Sequence, residues 1–98
     1  MDQEERIIAV VEKKIDDYKH LCGLGFMMRV ADPESREHVT RIGARVLMAK
    51  WSIGPPAGSF VQAVADNNLA EAFGRADSIN TDSLKFYSML IYNTAYIE

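Results

Sequence analysis

Most residues that announce a chemistry are scarce in this chain. It has one cysteine, Cys22, and two histidines, His20 and His38. A single thiol forms no internal disulfide. His20 and Cys22, two positions apart, point to different sides of a helix and supply no zinc quartet. A helix-end histidine and a small buried thiol are their expected roles, and neither metal nor cofactor is expected. No apolar run approaches the roughly 20 residues of a membrane span, and the first residues are acidic (Asp2, Glu4, Glu5) rather than basic ahead of an apolar stretch. Together these features lead to the expectation of a reducing cytoplasm. Positive charge is short as well: 11 Lys and Arg against 14 Asp and Glu leave a net charge of −3. Long-range attraction to nucleic acid or anionic lipid is thereby excluded, and only a local basic patch would support such contacts.

Catalytic motifs are equally thin. Ser59 sits in Gly-Ser-Phe rather than Gly-x-Ser-x-Gly, and it precedes a helix with no strand before it, so it reads as a helix cap. Gly23-Leu24-Gly25 lacks the Lys-Ser/Thr ending of a phosphate loop. Carboxylates are plentiful, but no spacing places two of them in a dry cleft. The chain is therefore not expected to be an enzyme. Repeats, low-complexity tracts and alternating strand patterns are also missing.

What is present is helical periodicity. The 98 residues, 48% apolar and 26% charged, read as a single domain over residues 1–98. A chain of this size buries only about 60–70% of its unfolded surface, which makes homo-oligomerisation an expected source of further stability. Ile8, Val11, Ile15, Tyr18 and Cys22, with Ile7 beside them, give residues 3–21 one apolar helical face. Gly23 and Gly25 then close that helix and open a connector holding Phe26, Met27 and Met28. Asp32-Pro33-Glu34-Ser35 is a helix start: Asp32 caps free amides, Pro33 suits the first position, and Glu34 favours the positive end of the dipole. The second helix runs from Pro33 to Trp51 on a face of Val39, Ile42, Val46, Ala49 and Ile53, with Leu47 and Met48 widening it. Gly43, inside it, reads as a close-packing point against another helix.

Residues 52–57 contain two prolines and break the helix. Beyond them, the spacing predicts short helices over residues 58–98. One follows Gly58-Ser59. A second is capped by Asn68 with Glu71 and presents Leu69, Ala72, Phe73 and Ala76. The last opens at Asn80 or Thr81 and presents Leu84, Tyr87, Leu90, Ile91 and Ala95, with Phe86, Met89 and Tyr92 at its margins. The expected fold is all-α: a small bundle of four to five helices built on an N-terminal antiparallel helical hairpin, residues 3–51.

Two groups of residues are candidates for a site. Arg75, Asp77 and Asn80, within six positions, suit a turn held by charge-assisted hydrogen bonds, with ligand contact as the alternative. From His38 to Pro56 the chain carries Arg41, Arg45 and Lys50 and no acid, and His38, Arg41 and Arg45 share a face at three-and-four spacing. Arginine forks bind phosphate bidentately. These three residues, with Tyr18 or Trp51 as a stacking ring, form the candidate anion or nucleotide site.

Gly58, Ser59, Phe60, Ala63, Val64, Asn67, Leu69, Ala72, Arg75, Ala76, Asp77, Asn80, Leu84, Tyr92 and Asn93 together resemble a C-terminal segment of small uncharacterised bacteriophage proteins. Glu34 to Glu37, followed by Thr40, Ala44, Arg45, Met48, Ala49 and Trp51, resembles the helical hairpin of phage proteins that sequester the cyclic nucleotide signals of bacterial immunity. The resemblance implies a non-enzymatic counter-defence protein, of anti-CBASS or anti-CRISPR type. Its target would be a cyclic oligonucleotide or a host defence protein such as a CRISPR effector. The basic second helix keeps a nucleic-acid-binding regulator as the alternative.

Overall fold

Residues 2–98 are described here from a computed structural model, and every regular element among them is helical. Six α-helices are present: α1 (Gln3–Tyr18), α2 (Leu24–Ala31), α3 (Pro33–Lys50), α4 (Ser59–Ala65), α5 (Leu69–Arg75) and α6 (Ser78–Asn93), with a 3-10 turn at Lys19–Leu21. The all-α expectation holds, with one helix more than the spacing predicted.

Asp2 starts α1 by accepting the Glu5 amide at 2.8 Å. The buried row of α1 is Ile7, Val11 and Ile15, each four apart, while Ile8 lies only half-buried at its edge. The helix stops at Tyr18 rather than near residue 21. Gly23 then turns the chain with φ +93° and ψ 163°, a conformation essentially closed to side-chain-bearing residues. Gly25 has no such role, because the connector is itself a helix, α2. Phe26 and Val30 anchor α2, with the Phe26 ring stacked on Phe86 at 5.0 Å.

A single residue, Asp32, joins α2 to α3, and its carboxylate accepts the Ser35 amide at 3.0 Å. Pro33 occupies the first turn of α3, as its fixed φ and missing N–H suit. Helices α1 and α3 run antiparallel: Arg36 at the start of α3 reaches Asp16 near the end of α1, and Gly43 further along meets Val11. Helix α3 also packs against α2, α4 and α6, which makes it the central element.

Two helices end in left-handed residues that are not glycine. After α3, Ser52 has φ +56°, its amide donates to Ala49 O, and the Ile53 amide donates to Met48 O. After α4, Asn67 has φ +61°, with Asn67 N bonded to Val64 O and Asn68 N to Ala63 O. Both are Schellman stops, in which the freed carbonyls of the last turn find donors. The first occurs before Pro55 and Pro56, so the prolines follow the stop rather than cause it.

Helix α4 is capped by Gly58 with no side-chain bond, so Ser59 is its first residue and not its cap. Asn68 caps α5 as expected, accepting the Glu71 amide at 3.2 Å. Helix α6 opens at Ser78, two or three residues before the expected start at Asn80 or Thr81, because Asp77 is its cap. Asn80 lies inside α6, buried, and its Oδ1 accepts the Tyr87 hydroxyl at 2.9 Å. The aromatic stretch from Phe86 to Tyr92 is thus helical. After α6, residues 94–98 fold back on α1: the Gln3 amide nitrogen donates to Tyr96 Oη and Ile97 O, both at 2.9 Å, and Arg6 Nε donates to Glu98 O at 2.6 Å.

Candidate functional site

The antiparallel pairing of α1 with α3 leaves a groove of about 770 Å³ between them. Glu4, Ile8 and Glu12, one row of α1, form one wall. Thr40 and Ala44, both buried, belong to its α3 side, where His38, Arg41 and Arg45 also line the space. Three of the residues singled out from the sequence therefore meet in one place.

Their charge does not act as the sequence suggested. The run from His38 to Pro56 carries no acid in the sequence, but folding brings Glu4 and Glu12 across from α1 and Glu37 up from the preceding turn. Arg36, Arg41 and Arg45 face these three glutamates, so the formal charges of the lining balance, leaving His38 aside. Arg36 is a structural clamp. Its two terminal nitrogens hold both carboxylate oxygens of Asp16 at 3.1 Å, and one of them also donates to Glu12 O at 3.2 Å. That bidentate bond holds the Asp16 carboxyl below its ordinary pKa. Arg41 donates to Glu37 at 2.8 Å. Of the three lining arginines, only Arg45 has no ion-pair partner among the described residues, and His38 Nε2 is a buried atom with no hydrogen-bond partner.

Neither aromatic candidate lines the groove. Tyr18 packs edge-on against Phe86 with the Lys14 ammonium 5.3 Å over its ring. Trp51 lies at the far end of α3, edge-on to Tyr96 at 5.2 Å. The second candidate group separates as well. Asp77 and Asn80 do hold a turn, through the Asp77 carboxylate and the Asn80 amide at 2.8 Å. Arg75 takes no part in it and pairs with Glu71 one turn back. Outside both groups, His20 is exposed, and Cys22 lies 3.7 Å from the Met89 sulfur, where burial raises its thiol pKa and keeps it protonated.

Helical periodicity identified apolar faces without showing which of them are covered. Leu69 and Phe73, expected on one apolar face with Ala72, are 62% and 51% exposed, and of α5 only Ala72 is buried. Tyr92 is 90% exposed. Leu24 and Met28 stand out from α2 at 72% and 67%. For α2 the sequence held a clue, since Arg29 is the single charged residue in its eight.

Comparison of the chain with protein-family models, with curated proteins and with solved structures finds no significant match. No helix among the described residues is long and apolar enough to cross a membrane.

Proposed function

We propose that this chain is a non-catalytic binding protein that acts stoichiometrically on a host protein, with phage counter-defence as its setting. The setting rests on the resemblance of residues 58–93 to small phage proteins. A host cytoplasmic location and a homo-oligomeric state belong to the same proposal.

The choice of a protein target over a cyclic nucleotide rests on one observation. The groove that gathers His38, Arg41 and Arg45 is charge-balanced in sum, offers Arg45 as its single unpaired arginine and holds no Phe, Tyr or Trp ring, whereas α5 carries a bare apolar row. A phosphate leaving water needs uncompensated multidentate cations, and a base needs a flat apolar face. Leu69 and Phe73, four apart on α5, instead have the spacing by which a short helix fits a groove on another protein. Helix α5 itself packs chiefly against α4, which leaves that row free to be covered. Duplex DNA is less well served, because α3 is packed by four other helices and its arginines face glutamates.

Two measurements test this reading together. Calorimetry and thermal shift with cyclic di- and trinucleotides should show no binding to the wild type. Capture from host cells should retain one defence protein at fixed stoichiometry, and Leu69→Asp with Phe73→Asp should lose it. A cyclic nucleotide that stabilises the wild type but not Arg41→Ala with Arg45→Ala would move the target to the groove.

A further inference from the structure

A second apolar row, on α2, has no part in the target reading above. The helix reads Leu-Gly-Phe-Met-Met-Arg-Val-Ala and has one charged side chain in its eight residues. That residue, Arg29, is spent internally on Asp82 at 2.9 Å. Phe26 and Val30 face the core. Leu24 with Met28, and Met27 with Ala31, form two adjacent four-spaced rows on the outside, and Leu21 in the preceding turn extends them. A helix that is apolar on every side is normally buried, yet this one is bare on its outer face.

The helix cannot rotate to hide these residues. The Phe26–Phe86 stack fixes one side, and the Arg29–Asp82 pair fixes another. Gly25 lies close under the same aspartate, where an added Cβ would come 3.4 Å from its carboxylate. The exposed rows are thus held outward by the core.

The charge at the two ends of α2 indicates what covers them. The N-terminal end has no acidic residue in its first turn and no side-chain cap, and the exposed His20 lies just before it. The C-terminal end runs into Asp32, whose carboxylate is used within the chain on the Ser35 amide, and then Glu34, which has no ion-pair partner among the described residues. A helix that is positive at one end, negative at the other and apolar between is complementary to itself when reversed. We infer that α2 is the twofold contact of a homodimer, packed antiparallel against α2 of a second copy. Leu24, Met27 and Met28 form its centre, and Glu34 of each copy faces the uncapped α2 N-terminus of the other.

This deepens the oligomeric reading above by naming its surface. A row of four or five aliphatic side chains falls short of the about 800 Å² per partner that a stable interface buries. The dimer therefore needs its charged ends and is a weak, concentration-dependent one. Methionine suits such a contact, since its flexible thioether repacks against its own copy.

Sedimentation velocity on the wild-type chain, from low to high micromolar concentration, should show a reversible monomer–dimer equilibrium. Leu24→Asp with Met28→Asp should give a monomer at every concentration, with an unchanged helical circular dichroism spectrum because neither side chain is in the core. Glu34→Lys should weaken the dimer roughly three- to tenfold, and adding His20→Glu to it should restore the affinity by setting a carboxylate opposite the new ammonium. A wild type that stays monomeric overturns the inference and leaves the face to a different protein. A Leu24→Asp, Met28→Asp chain that still dimerises overturns it too, by placing the contact elsewhere. Neither result bears on target capture, which is read separately through Leu69 and Phe73.

Discussion

A methyl group added to Gly43 would lie 2.9 Å from Leu90 Cδ1 and equally close to Val11 Cγ1. Glycine at this point lets α3 approach α1 and α6 together. Val11 and Leu90 are fully buried, and the branched Val11 side chain has little room to turn away. Alanine would add about 1 kcal/mol of helix propensity but would overpack the contact by about 1–3 kcal/mol. Gly43→Ala should therefore lower stability by up to about 2 kcal/mol in urea titration, and Gly43→Val by more. A stabilised Gly43→Ala chain would show that the three helices have slack here.

At the end of α3 the same residue type should act in the opposite direction. Ser52 holds φ +56° in a Schellman stop that glycine adopts without cost. Ser52→Gly should raise stability by about 0.5–1 kcal/mol, the relief of left-handed strain less the extra freedom of glycine in the unfolded chain. Differential scanning calorimetry would register this as a higher Tm.

Burial raises the pKa of the Tyr87 hydroxyl well above its ordinary value. Stability linked to it is whole below about pH 10, where the unfolded chain also keeps the proton, and falls as pH climbs above that towards the higher folded value. Tyr87→Phe should cost about 1–3 kcal/mol at neutral pH, since Asn80 Oδ1 then loses its donor inside the protein. It should also flatten the alkaline decline. Urea midpoints compared between wild type and variant on both sides of pH 10 separate the two effects.

On the acid side the bond from Arg36 depresses the Asp16 pKa. Its contribution is present above the ordinary carboxylate range and is lost as pH falls through the lower folded value. Arg36→Gln should make the acid limb of the stability profile shallower and loosen the start of α3 against α1. Hydrogen exchange at residues 12–16 and 33–37 would show the loosening.

The hairpin could be read before it was seen because α1 and α3 each have a polar face that makes the period of their apolar residues visible, and Asp32-Pro33 marks a start that local chemistry alone determines. Helix α2 hid from the same reading. It is short and apolar on nearly every side, so it offers no period, and its glycines suggested a turn. The start of α6 was displaced because Asp77 and Asn80 are both good capping residues. Only Tyr87, two turns further along the helix, shows that Asn80 is an interior partner. The groove was half legible: His38, Arg41 and Arg45 share it, but the acids opposite come from α1, and one-dimensional spacing does not report what folding brings across. Exposure of Leu69 and Phe73 escaped for a related reason, since periodicity finds a greasy face without finding its cover.

The strap of residues 94–98 on α1 has a topological consequence. With Gln3 bonded to Tyr96 and Ile97, and Arg6 to Glu98, the two ends of the helical path stand side by side. A short linker between them would turn the chain into a closed loop of helices. New ends opened in the exposed stretch at Gly54 to Pro56 would then give a permuted chain with the same packing. A permuted chain that keeps the helical circular dichroism spectrum and thermal stability of the original would show that the mutual contacts of the six helices, and not the order in which the backbone visits them, determine the arrangement.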